Sequence, residues 1–237
     1  MIRFQGTYPA YDESILLVGL QNEIIPEIEY TSQKIPQRAG VLGISKTHNV
    51  RTLAATYQLN GKSAARNMSL AAALAQWADS EAAGQLVLDE TPDRFYFGIL
   101  TNASKPDYAQ EWPEVTLTFT CANPYAYSME QHSANVGETI DYQGSVPVWP
   151  TIEYTPGSNL AQAQWTDGTR TLTISDPEYT LRAGHRIAMD CANRLATDND
   201  VSIMAYITLF SDWLYMKRGP NTITGPGGVV KWRNVYL

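Results

Sequence analysis

The run Val115-Thr116-Leu117-Thr118-Phe119-Thr120-Cys121 alternates apolar and threonine side chains without a break, as a half-buried β-strand requires. It stops at Ala122-Asn123-Pro124, because proline removes a ladder donor and restricts the residue before it. Tyr125 and Tyr127 follow. A polar stretch, Ser128 to Gln143, then leads to a second aromatic and proline block, Gly144-Ser145-Val146-Pro147-Val148-Trp149-Pro150. Strand, aromatic stop, polar connector and new strand read as the seam between two β-rich domains. The expected division is residues 1–130 and 131–237, with an open linker inside Ser128–Gln143. No catalytic residue type is concentrated in this seam, which turns the search towards assembly or binding.

The 237 residues suffice for one large β domain or two smaller ones. Charged residues make up 17%, low enough for a sizeable core, and no stretch reaches the roughly 18 apolar residues of a membrane helix, so no membrane partner is expected. The start, Met1 to Gln5, lacks the apolar region of a secretory signal. Cys121 and Cys191 both lie in strand-like contexts and are expected as buried thiols. Net charge is −7, with 9 basic and 14 acidic residues in 1–130 against 8 and 10 in 131–237. Such a surface disfavours tight nucleic-acid binding.

Outward from the seam, Ile15–Leu20 reads as a buried strand. Residues 21–38 alternate isoleucine and glutamate around Pro26 and read as an exposed hairpin or extended arm. Val50–Leu59 is strand-like. Ser63–Ala83 predicts the one long helix, with Leu70, Leu74 and Trp77 on one face, an alanine stripe beside them, Ser63 or Ser69 as cap and Gly84 as stop. Gln85–Asp89 and Arg94–Leu100 are strands around a Glu90–Asp93 turn. After Gly144, turn signals at short intervals separate runs such as Thr171–Ser175, Val201–Leu209 and Val229–Trp232, the pattern of a β-sandwich. The fold class predicted is mainly β with one long α-helix.

The chain offers little for catalysis. His48, His132 and His185 show no metal-ligand spacing, and neither Cys-x-x-Cys nor Gly-x-Ser-x-Gly occurs. Gly225-Pro226-Gly227-Gly228 lacks the lysine of a phosphate loop. Asp198-Asn199-Asp200 lacks the glycine and distal glutamate of a calcium loop and reads as a solvated turn. No enzyme, cofactor or metal is therefore expected. The second half holds Trp149, Tyr154, Trp165, Tyr179, Tyr206, Trp213, Tyr215, Trp232 and Tyr236. Exposed, they would stack on sugar rings; alternation places Trp149 or Trp232 equally well in a core.

Four segments carry a resemblance: Gln85–Gly98, Val115–Tyr127, Gly144–Ile152 and Ser211–Ile223. In their order and spacing the chain resembles the distal tail protein (Dit) family of long, non-contractile-tailed bacteriophages and prophages. The resemblance implies a tail-tube-like, ring-forming N-terminal domain and a C-terminal β-sandwich similar to galectins and carbohydrate-binding modules. It implies a virion tail-tip protein, made in the host bacterial cytoplasm, that assembles with itself as a homohexamer in single or stacked rings. Implied partners are the tail-tube protein, a tail-fibre or tail-associated protein and receptor-binding proteins, with DNA passing through unbound. It carries no catalytic residue and no cofactor. By position it makes residues 21–38 an arm to the neighbouring subunit, with Ile24, Ile25, Ile28 and Tyr30 as interface candidates. For a DNA channel through the first domain, the acidic excess offers Glu27, Glu29, Asp89, Glu90, Asp93, Glu111 and Glu114 as lumen candidates. The alternative reading is a carbohydrate-binding module for host cell-wall saccharide.

Overall fold

The computed structural model describes residues 2–9, 14–34, 36, 39 and 42–237. The chain divides into two compact units, Met1–Ala126 with Leu237, and Tyr127–Tyr236.

In the first unit the elements run β1 (Ile2–Phe4), β2 (Ile15–Asn22), β3 (Ile28–Gln33), β4 (Leu42–His48), β5 (Arg51–Leu59), α1 (Ala64–Ala78), β6 (Gly84–Leu88), β7 (Arg94–Ala103) and β8 (Glu114–Cys121). The main sheet has the order β1-β6-β7-β8-β5-β2, antiparallel throughout. Its centre is the pair of strictly alternating strands. Leu53, Ala55, Tyr57 and Leu59 of β5 lie on the buried face with Val115, Leu117, Phe119 and Cys121 of β8. Helix α1 covers that face with Leu70, Leu74 and Ala78, while Trp77 meets Phe4 and Tyr57 edge to face. Strands β3 and β4 pair only with each other, forming a separate two-stranded ribbon.

The helix begins where expected, with the Ser63 hydroxyl accepting the Arg66 amide at 3.3 Å. It ends earlier than expected. Asp79 already has an extended backbone and its amide closes on the Ala75 carbonyl. Gly84 is not the stop; it opens β6. A Cβ there would come within 2.6 Å of the Phe4 ring, so glycine is required by the packing of β1 on β6.

The second unit contains β10 (His132–Asn135), β11 (Thr139–Tyr142), β12 (Thr151–Tyr154), β13 (Gln162–Thr166), β14 (Thr171–Ser175), β15 (Ile187–Asp190), β16 (Leu195–Asp198), β17 (Val201–Ser202), β18 (Gly219–Thr222), β19 (Val229–Trp232) and β20 (Val235–Tyr236). Strand β9 (Ala126–Ser128) pairs with β20. A six-stranded sheet, β10-β19-β12-β15-β16-β17, faces the pairs β11-β18 and β13-β14 across one core. Trp165 is its largest fully buried residue, packed edge to face on Tyr154, with its indole N–H donating to the Gly227 carbonyl at 3.1 Å. Each unit is mainly β, and among the described residues α1 is the one α-helix.

Two sequence expectations fail here. Ser128–Gln143 is not an open linker. It supplies β10 and β11, and Ile140 and Tyr142 are buried at alternate positions between exposed Thr139 and Asp141. The short period-2 pattern is masked by the polar residues around it. Nor is Val201–Leu209 one strand. Asn199 and Asp200 both take positive φ, β17 lasts two residues, and the chain enters a 3-10 turn over Met204–Tyr206.

Candidate assembly surfaces

The first unit is organised around an arginine. Arg51, at the start of β5, is 1% exposed. Its Nε donates to the Pro124 carbonyl at 2.7 Å, and its Nη1 donates to Asn22 Oδ1 at 2.9 Å and to the Glu23 carbonyl. The guanidinium carbon stands 5.2 Å from the Tyr96 ring centroid. One side chain thus holds the last residue of β2, the first of the following segment and the turn after β8. Beside it, His48 Nδ1 lies 3.0 Å from the Tyr125 hydroxyl, and the Asn49 amide donates to the Glu27 carbonyl at 2.8 Å. The β3–β4 ribbon is therefore clamped at its root.

Beyond that root the side chains are open. Ile24 is 90% exposed, Tyr30 63% and Ile25 47%, whereas Ile28 is half-buried. Ile35, Gln37 and Arg38, expected in the same arm, lie outside the described residues. The seven candidate carboxylates are all exposed but do not converge. Strand register places the ribbon with Glu27 and Glu29, and the β6–β7 turn with Asp89, Glu90 and Asp93, at the end of the sheet where β8 finishes. Glu114, paired with Gln58, starts β8 at the opposite end, with Glu111 just before it.

On the second unit the most exposed apolar pair begins at the last residue of the Val201–Leu209 run that the sequence reads as a strand. Leu209 and Phe210 are 98% and 97% exposed. They sit at the tip of a turn closed by the Ser211 amide on the Thr208 carbonyl, and tied to β14 through Thr208 N to Thr173 O and Asp212 N to Thr171 O. Of the aromatic candidates, Trp165 is core, Trp149 is 46% exposed, and Tyr154, Tyr179, Tyr206, Trp213, Tyr215, Trp232 and Tyr236 are half-buried.

The titratable groups form braces. Asp198, expected in a solvated turn, accepts from the Tyr179 hydroxyl at 2.8 Å and pairs with His185 Nδ1 at 2.8 Å. Burial, then Asp198, push the Tyr179 phenol upward. Both carboxylate oxygens are occupied, so this group fastens the end of β16 to the chain around it. Burial pushes the thiols of Cys121 and Cys191 up to about 11 and about 12, which removes both as thiolates near neutral pH. Among the described residues no three His, Cys, Asp or Glu side chains are placed to hold a metal ion.

Comparison with known proteins separates the units in the same order. Residues 15–121 match the phage tail protein RIFT-related domain, and residues 143–236 match the siphovirus-type tail component, C-terminal domain. The chain belongs to the siphovirus distal tail protein family. It is 26% identical over 141 residues to the distal tail protein of Bacillus phage SPP1, a match spanning 58% of this chain and 56% of that protein's length. It superposes on the crystal structure of the SPP1 Dit protein, described as a hub of the adsorption apparatus in phages infecting Gram-positive bacteria. The TM-score is 0.83, with 17% identity, 100% of this chain and 98% of that one covered. The fold is therefore shared over the full length of a Dit protein, and the β3–β4 ribbon lies inside the matched N-terminal domain.

Replacing Arg51 with Met leaves the Pro124 carbonyl without its donor and frees the ribbon root. The expected loss is about 1–3 kcal/mol of unfolding free energy. Hydrogen exchange at the Asn49 amide should quicken while amides of the β5–β8 ladder stay protected. Unchanged protection at Asn49 would show that Arg51 does not hold the root.

Glu153, on β12, is bracketed by Lys231 Nζ at 2.8 Å and Arg186 Nη2 at 2.9 Å. Lys231, then Arg186, hold its carboxyl below the ordinary value of 4.5. A carboxylate whose pKa is depressed by folding contributes stability above its unfolded value and loses it as pH falls through the folded one. The stability difference between the chain and its Glu153→Gln variant should be full at pH 6–7 and shrink progressively below the Glu value of 4.5. A difference that persists unchanged at the acid end would rule this pairing out as its source.

Proposed function

We propose that this chain is a structural hub of a phage tail tip, assembling as a hexameric ring that joins the tail tube to the adsorption apparatus and lets DNA pass during ejection. The observation that carries the reading is the matched pair of tail-protein domains in order along one chain, on a Dit fold covered end to end. In this reading the two units are separate domains, the first ring-forming and the second peripheral. Tail-tube protein lies on one side, with tail-fibre and receptor-binding proteins on the other. The place of action is the virion tail tip, after synthesis in the host cytoplasm, and the role is mechanical, without catalysis.

The ribbon geometry supports self-association. A clamped root carrying Ile24, Ile25 and Tyr30 in the open leaves apolar surface that a second copy would cover. Burying each aliphatic side chain contributes roughly 1.5–3 kcal/mol before ordering costs. The alternative, a carbohydrate-binding module, has the exposed indole of Trp149 in its favour.

Static light scattering of the purified chain should give a hexamer mass, and electron microscopy a ring with a central hole. Changing Ile24, Ile25 and Ile28 together to Ser should leave folded monomer. Rings that survive this change would remove the ribbon from the interface.

The lumen proposal is narrowed by the register. A rim at one end of the sheet draws on Glu27, Glu29, Asp89, Glu90 and Asp93, or at the other on Glu111 and Glu114, not on all seven. Either is acidic, and phosphates should slide past it. The ring should leave duplex DNA unshifted in a gel at about 0.15 M salt; tight binding there would contradict an acidic wall.

A further inference from the structure

The outer face of the second unit carries an aromatic and cationic groove that ring assembly leaves unexplained. Val148 and Met216 form an antiparallel bridge, with amide-to-carbonyl distances of 3.0 and 2.8 Å, and both pack on the core. Alternation then forces their neighbours, Trp149 and Tyr215, to stand side by side on the opposite face, ring centroids 5.9 Å apart. Leu214 and Met216 are fully buried, which fixes Tyr215 as the outward residue between them. The Arg170 guanidinium lies over the Tyr215 ring at 3.7 Å from its centroid, and the Lys217 amine approaches the same ring at 5.3 Å. Lys217, then Arg170, hold the Tyr215 phenol below its ordinary value.

The groove beside this ring has a volume of about 250 Å³ and is lined by Asp167, Thr169, Arg170, Lys217 and Thr222 as well as Tyr215. Its two cationic loops are held in place. Asp167 Oδ1 accepts the amides of Thr169 and Arg170 at 2.8 and 2.7 Å, and Oδ2 lies 3.7 Å from Arg170 Nη1. Asn221 accepts the Lys217 amide at 3.0 Å and donates to the carbonyls of Lys217 and Gly219 at 2.7 Å each. Two cations therefore share one lining carboxylate, a local positive surplus on a chain whose net charge is −7.

We propose that this groove binds a saccharide bearing an anionic substituent, with a sugar ring on the exposed face of Trp149 and the anion between Arg170 and Lys217. The apolar C–H face of a pyranose covers the indole and removes both surfaces from water. The cations supply charge-assisted hydrogen bonds, the guanidinium in the planar geometry that carboxylate and phosphate match. Tyr215 touches both halves, which places them within the reach of a short oligosaccharide. A neutral sugar lacks the second half of the interaction, and a bare anion lacks the first. All of its residues belong to the second unit.

The test uses the full chain and follows the Trp149 indole N–H by NMR during titration with four probes: trigalacturonate, glucose 6-phosphate, neutral maltotriose and inorganic phosphate. Saturable binding is expected from trigalacturonate, glucose 6-phosphate or both, with Kd on the order of 1 mM, and the two separate a uronate from a sugar phosphate. It should weaken as salt rises. Trp149→Ala, and separately Arg170→Gln with Lys217→Gln, should each weaken it about tenfold at unchanged thermal midpoint. Absence of saturable binding by both charged saccharides overturns the proposal. So does maltotriose binding as well as they do. Inorganic phosphate binding as tightly as the saccharides, with Trp149→Ala silent, reduces the groove to an anion site and overturns the saccharide assignment.

Discussion

The buried guanidinium of Arg51 is the constraint on which the first unit depends. Removing a charge from water is expensive, and it is tolerated where the group finds several acceptors at once. Here the three acceptors belong to two separate stretches: Asn22 and Glu23 where β2 ends, and Pro124 after β8. The arginine sits at the start of β5, paired with Cys121 at the end of β8. The same corner therefore ends two strands, starts a third and launches the ribbon. Tyr96 covers the cation with its ring face. An aliphatic residue would fill the space but could not fasten backbone carbonyls.

The second unit solves the corresponding problem without a charge. Trp165 fills the centre of its core, and the Tyr142 hydroxyl stitches two distant segments, donating to the Val146 carbonyl at 2.6 Å and accepting the Val235 amide at 3.0 Å. Each side chain brings one polar group into an apolar interior, and each group finds a backbone partner, which is the condition for burying it. That arrangement turns the polar residues after Ser128 into core strands: Tyr142 needs Val146 and Val235 near it, so β11 has to lie against the end of the chain.

Alternation made some of this legible in advance. β5 and β8 are long enough for a period of two to show against any background, and both were placed within a residue or so. β11 has the same alternation over four residues, too few to stand out beside Glu138 and Asp141. The Val201–Leu209 run has the composition of a strand, but after the two-residue left-handed turn at Asn199 and Asp200 only Val201 and Ser202 pair with β16 before the chain enters the 3-10 turn at Met204, and propensity cannot register where the pairing ends. The same limit separates Trp149 from Trp165. Both sit in alternating contexts, and only the bridge between Val148 and Met216 decides which face is outward. Site prediction shared that limit: the seven carboxylates are exposed, and their division between two ends of a sheet is a matter of register.

Exposed apolar side chains recur at a particular kind of place in this chain. Ile24 and Tyr30 lie beyond a root that Arg51 and the Asn49 amide hold, and Leu209 with Phe210 lies beyond a turn bonded to β14. A flexible segment carrying the same residues would lose conformational freedom on binding, at a cost comparable to the apolar burial it gains. Fixing the base first moves that cost into folding, where the buried hydrogen bonds of the unit already offset it. What remains for association is removal of apolar surface from water, at a position set by the fold. That division of labour suits association in one fixed geometry, and it accounts for polar fastenings that are buried while the apolar groups are in solvent.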